Sequence, residues 1–474
     1  MSETLVTVGE FSLHKILEFL REINYEDSEN PWDDLLNLMK TCRVMYIAVC
    51  NLPRHRLRFG TPVPYVGKLR VNSVRMINVL SGIRYKVLDF REFMDKFPRM
   101  YDIPIDVDYG NMKPEFKSEL LKYRDVKIHS HGRIPTFPDA YRIEWVNYRN
   151  HGSNLLMFQH IKHVNLSSHR FITDVSALNG VHSLNLNFCS SLLDISSLDN
   201  IQELSIISTQ VSDVSNCKNT LVLLADHTNI SDVNCLPQLK RLSARDTWVK
   251  SVNKLVNVEE LNVIDTLVND FGNLHMLRDL KSSLITEAPP NLKKLFLEKT
   301  NIDQTVDFTR LVMPNLHTVN IQDFDVNTLA NLSHVHTLIL VDCCNVVSET
   351  IRDLGNLSRL KIVGSGIERI PDSLKNLQTL ELTRCYMLTD ICSLTGAKAV
   401  DIRCCQQLRR VDGLKNCKEV SLYGLDKVTD ISPLKDVEKL SLSHLPNITN
   451  LHTVSHLLHL KLATLSQLLE HNLT

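Results

Sequence analysis

The sequence predicts an α/β solenoid: about sixteen short stacked turns, each giving one strand to a parallel concave sheet, behind a small helical N-terminal segment. Three observations predict it. An apolar pair, Leu/Val-x-Leu/Ile/Val, returns with its first member at Val164, Leu184, Leu204, Leu223, Leu242, Leu261, Leu280, Leu295, Val319, Leu338, Leu360, Leu380, Val400, Val420, Leu440 and Leu460. Five residues after the first member stands a small hydrogen-bonding side chain: Cys189, Thr209, Thr228, Thr247, Thr266, Thr300, Cys343, Ser365, Cys385 and Cys405. Later in the unit comes an apolar-Asp-apolar step, as in ITDVSAL at 172–178, ISDVNCL at 230–236 and LTDICSL at 388–394.

Each element follows from the pattern. In a strand the pair points to one face and its neighbours to the other. A turn this short cannot bury its apolar set alone, so successive turns stack over one continuous core. The small polar residue sits where the chain leaves the strand and can satisfy backbone groups of the bend. Few residues remain for the return path, which predicts a 3₁₀ or irregular convex side in place of a full α-helix. The pair at Leu280 has Ser282 in its second slot, which leaves the register there open.

Weaker pairs precede the regular array at Leu88/Phe90, Ile105/Val107, Val126/Ile128 and Ile143/Trp145. They read either as irregular early turns or as a separate small linker domain. At the other end, Leu465, Leu468, Leu469 and Leu473 offer a short capping helix for the last turn.

The regular units resemble the leucine-rich-repeat family, whose unit begins LxxLxLxx(N/C/T)x(L/I), and among its members the short internalin-like and Cys-containing forms. The resemblance covers about residues 160–465. It implies a solenoid that binds protein on its concave sheet. On each strand the residue between the pair and the one just after it face that side. Ile207, Leu224, Asp226, Arg245, Ile264, Phe296, Glu298, Ile339, Val341 and Val363 are the expected binding residues. The alternative is that the register slips in some units and these side chains are core.

Residues 11–48 carry two amphipathic stretches, Phe11–Leu20 and Trp32–Ala48, separated by a polar, acidic segment that ends at Pro31. Ile16, Leu17 and Leu20, then Asp34-Leu35-Leu36, Leu38, Cys42-Arg43 and Tyr46-Ile47-Ala48 resemble the F-box. The usual opening Leu-Pro is absent, the gap between the stretches is long, and Tyr46 stands where Trp is common. The resemblance implies docking on the Skp adaptor of an SCF-type E3 ubiquitin ligase through Leu13, Ile16, Leu17, Leu20, Leu35 and Leu38, an apolar stripe suited to a groove. The repeats would then hold a substrate protein. The competing reading is a helical cap on an adaptor-independent binding scaffold or inhibitor.

The expected organisation is an F-box-like domain at 1–51, a linker with irregular early repeats at 52–160, repeats at 161–464 and a cap at 465–474. The 53 basic and 54 acidic residues leave a net charge of -1, no global field for nucleic acid or anionic lipid. No run approaches ~18 apolar residues, so no membrane span is expected. The first residues lack the basic and apolar regions of a signal peptide, which predicts a cytoplasmic or nuclear chain with reduced thiols. No catalytic motif emerges: Gly364-Ser-Gly366 lacks a third glycine, and neither HExxH nor GxSxG occurs. Cys343-Cys344 and Cys404-Cys405 have no CxxC spacing, so neither metal nor cofactor is expected and the chain reads as a non-enzyme.

Overall fold

The computed structural model describes residues 105–109, 117–118, 120–130, 134–147, 155–301, 306–392, 394 and 396–463, with short strands Leu57–Phe59, Ser73–Met76 and Leu88–Asp89 before them. The expected adaptor-binding residues Leu13, Ile16, Leu17, Leu20, Leu35 and Leu38 and the expected cap at 465–474 lie outside the described residues. The chain divides into two compact units, Met1–Leu192 and Leu193–Thr474.

The second unit is a stack of leucine-rich turns. Its fourteen described strands run from Glu203–Ser205 to His459–Ala463. Each pairs in parallel with the next, and the apolar pairs lie in register from Leu204↔Leu223 to Leu440↔Leu460. At the ambiguous unit, Leu280 sits between Leu261 and Leu295, and Ser282 between Val263 and Leu297. Ser282 points inward all the same, because its hydroxyl donates to the Leu284 carbonyl (2.7 Å) and is satisfied inside the core.

In the first unit, strands Ile105–Asp108, Asp125–Ser130, Arg142–Asn147, His163–Asn165 and Ser183–Asn185 form a parallel ladder. Its register is Ile105↔Val126, Val126↔Ile143, Ile143↔Val164 and Val164↔Leu184. One expected neighbour differs. Leu57–Phe59, not the Leu88/Phe90 segment, lies parallel beside Ile105–Asp108, and Leu88–Asp89 runs antiparallel to Ser73–Met76. Alternation marks a strand but chooses neither its partner nor its direction.

The bend after each strand has a fixed backbone. The fourth residue after the first apolar member is left-handed in turn after turn, from Ser168 (φ 67°) through Asp246 (52°) and Asp265 (60°) to His444 (54°). Gly364 and Gly424 take the same place. Asp and Gly tolerate this conformation; Phe188 and Arg384 adopt it against a strain of about 1–2 kcal/mol. At the next position the side chain closes the bend. Thr209, Thr228, Thr247 and Thr266 donate to the carbonyl three residues back at 2.7–2.8 Å. Cys189 and Cys343 instead reach across to carbonyls of the preceding turn, Leu166 and Ile321, at 3.3 Å.

The recurrent aspartate also has a structural task. Asp174, Asp232, Asp390 and Asp430 each accept the backbone N–H two residues on, at 2.7–2.9 Å. This opens the return path, which among the described residues is irregular or a short 3₁₀ turn such as Ser176–Leu178 and Ser432–Leu434. The turns are then stitched by asparagine amides four residues before the apolar pair. Asn219, Asn257 and Asn376 donate to carbonyls of the previous turn, Asp199, Pro237 and Gly355, at 2.9–3.0 Å.

His169 fills the bend-closing slot in its turn and is buried at 3% exposure. Its Nδ1 donates to the Leu166 carbonyl (2.9 Å), its ring lies 5.0 Å from that of Trp145, and Nε2 has no partner. Burial lowers its pKa, the two backbone bonds notwithstanding. The unfolded chain therefore takes up a proton near pH 6.5 that the folded chain refuses. Stability should fall as pH drops below that value, by about 1.4 kcal/mol per unit of difference between the two pKa values. His169→Cys, the side chain that Cys189 supplies in the next turn, should flatten urea midpoints compared between pH 7.5 and 5.5. An unchanged slope would assign the dependence elsewhere.

Candidate protein-interaction face

The second unit presents one face of its sheet through the positions beside the apolar pairs. Ile207, Leu224, Asp226, Arg245, Phe296, Glu298, Ile339, Val341 and Val363 are half-buried there, alternating with fully buried pair members. Ile264 is different. It occupies an outward position yet is only 2% exposed.

A long-range ion pair explains it. Arg245 forms a bidentate bridge to Glu298, 2.8 and 3.1 Å, across three strand spacings. Just past the strands, the backbone bond from Asp246 N–H to the Ile264 carbonyl sets Ile264 beside Arg245, on the line the bridge spans to Glu298, so this buried side chain is not part of a surface open to a partner. Glu298 raises the Arg245 pKa, chiefly through their hydrogen bonds. Asp226 anchors the near end, accepting the Ser243 hydroxyl (2.6 Å) and the Arg245 backbone N–H (2.8 Å). Asn262 adds a bond to Ser243 at 3.0 Å. Asp226, Arg245 and Glu298 are thus brought together, but as a tied network.

The apolar candidates form a separate group. Val341 lies directly opposite Val363, and Ile339 shares the strand of Val341 two residues away. Phe296 is set apart from Ile339 by Asn320 on the intervening strand. Beyond Val363 the face turns charged, in residues the expected set did not include. Lys361 and Arg359 both hold Glu381, at 3.1 and 2.6 Å, and outweigh the burial that would raise its pKa. Arg403 pairs with Asp401 at 2.7 Å. There Ala399, Ser421 and Ser441 leave a groove of about 610 Å³, bordered by Glu381, Asp401 and Lys461. The signal for it was the run of short outward side chains.

The thiols serve packing. Burial pushes Cys189 and Cys343 up to about 11, so they stay protonated at neutral pH. Cys405 is held up by its hydrogen bond to Cys385 and by burial, and both are free thiols. Among the described residues no three His, Cys, Asp or Glu side chains group to hold a metal ion, and no helix is long and apolar enough to cross a membrane.

No protein-family model matches the chain, and no curated protein sequence does. Similar solved structures include a leucine-rich-repeat protein of Leptospira interrogans, 16% identical, with TM-score 0.44 over 66% of this chain and 94% of that one. An internalin of Listeria monocytogenes is 18% identical, with TM-score 0.33 over 65% and 82%. The functional domain of a second Listeria monocytogenes internalin, which includes a cysteine ladder, is 10% identical, with TM-score 0.35 over 77% of each chain.

Proposed function

We propose that the chain is a non-enzymatic, protein-binding repeat scaffold that serves as the substrate-recognition subunit of an SCF-type ubiquitin ligase. The observation that supports binding is the Ile339, Val341 and Val363 group, apolar side chains kept at the surface of a sheet whose neighbouring charges are already paired. A rigid, regularly laddered face of this kind loses little order when a partner docks. Residues 1–51 supply the ligase part of the reading through their resemblance to the F-box, with Leu13, Ile16, Leu17, Leu20, Leu35 and Leu38 toward a Skp-type adaptor. The chemistry of ubiquitin transfer would belong to other subunits, in the cytoplasm or nucleus.

Capture from cell lysate with the full chain tests the face. Ile339→Glu with Val363→Glu should remove a specific set of captured proteins while leaving adaptor capture intact. Substrates and adaptor both retained, with unaltered melting, would rule this face out as the binding surface.

A further inference from the structure

The turns between Leu223 and Leu267 expose a second feature, at the edge where the chain leaves the strands. Trp248 is 65% exposed and Leu267 64%. They hold the same place in adjacent turns, where flanking turns carry Gln210, Asn229, Thr286 and Asn301. The backbone beneath them is fixed. Trp248 N–H donates to the Ile230 carbonyl at 3.0 Å and Leu267 N–H to that of Val249 at 3.3 Å, while Thr247 and Thr266 close the bends from inside. A tryptophan and a leucine therefore stand side by side in solvent on a rigid shelf.

The shelf borders a cavity of about 440 Å³ lined also by His227, Asp246 and Asp265. Left-handed backbone at Asp246 and Asp265 fixes where these carboxylates emerge. Asp246 meets the imidazole of His227 at 2.9 Å. The Asp265 carboxylate makes no hydrogen bond or ion pair among the described residues. Of the nearby cations, Arg245 feels the Asp265 charge but makes its side-chain hydrogen bonds to Glu298, and Lys299 pairs with Asp325. Negative charge beside an exposed indole repels phosphate, which disfavours nucleic acid and anionic lipid. It attracts a cation that can lie on the ring face and bond to a carboxylate.

We propose that this edge is a docking surface, separate from the strand face, for a partner-protein segment in which an arginine or lysine adjoins an apolar side chain. The basic group lies over Trp248 against Asp246 and Asp265, and the apolar one covers Leu267. The inference is independent of the ligase reading.

The chain has 3 tryptophans, so protein labelled with 5-fluorotryptophan gives three fluorine resonances, and Trp248→Phe identifies the one that reports on the shelf. The probes are the amidated, acetylated tripeptides Leu-Arg-Leu, Leu-Gln-Leu and Leu-Glu-Leu. Leu-Arg-Leu should move the Trp248 resonance saturably and leave those of Trp32 and Trp145 in place; the other two should leave all three unmoved. Asp246→Asn with Asp265→Asn should weaken the response on the order of tenfold, since two exposed charge contacts are lost. Asn accepts the left-handed backbone, so that variant should keep its fold, which an unchanged thermal melt of the second unit would verify. No movement with Leu-Arg-Leu, equal movement with Leu-Gln-Leu or Leu-Glu-Leu, or an undiminished response in the double variant would overturn the proposal.

Discussion

Leu380→Ala should lower the stability of the second unit by about 2–5 kcal/mol, the range for truncating a buried leucine. Leu380 is fully buried and stacks in register between Leu360 and Val400. The backbones on either side are fixed by parallel ladders and by cross-turn bonds such as that from Asn376, so the turns cannot close over the space left. Glu381, the next residue, faces outward and holds Arg359 and Lys361. Its replacement by Ala should cost at most ~1 kcal/mol, as for exposed ion pairs. Urea melts of the two variants compare inside with outside on one strand. A loss under about half a kcal/mol for Leu380→Ala would mean that the pair does not face the core.

Gly413→Ala should be nearly as damaging, about 1–3 kcal/mol from overpacking, although the sequence gives little warning of it. The corresponding slots in other turns carry Ala177 and Pro433. In this turn, however, a Cβ would run into the Ile391 carbonyl oxygen, 2.9 Å from the carbonyl carbon and 3.2 Å from the Cys392 Cα. All three are backbone atoms of the preceding turn and cannot swing aside. Gly355→Ala is the control: its nearest neighbour would be the Ser373 carbonyl oxygen at an ordinary 3.5 Å. That change should stay within ~0.5 kcal/mol. Equal thermal melts for the two variants would show that the turns at Ile391 and Gly413 are not in such close contact.

What could be read from the residues alone was whatever repeats along the chain. The inward pair has a period of two within a strand and returns with each turn, so Leu204, Leu223 and their counterparts announce both strand and register. The bend-closing Thr and Cys and the Asp before the return path were legible for the same reason, although their hydrogen bonds differ: Thr247 bonds within its turn and Cys189 across turns. The left-handed position before them was missed because it is defined by backbone angle and accepts residues as unlike as Asp246, Phe188 and Gly364. The strap from Arg245 to Glu298 joins residues 53 apart, which no local pattern encodes, and it is what removes Ile264 from the surface. Outward position alone therefore overstates the binding face. Which side chains remain open is decided by their long neighbours, and around Ile339, Val341 and Val363 those neighbours reach away toward Glu381.

Calorimetric titration of a purified Skp-type adaptor into the full chain and into Leu17→Asp with Leu35→Asp tests the ligase-receptor reading most directly. Leu17 and Leu35 lie on the two apolar stretches, and carboxylates without partners are strongly disfavoured in an apolar groove. The reading predicts stoichiometric binding by the full chain, none by the variant, and the same melting of the repeat array in both, since that core lies in other turns. No heat of binding with either protein, together with a lower melting temperature for the variant, would contradict it and make residues 1–51 a cap on the solenoid.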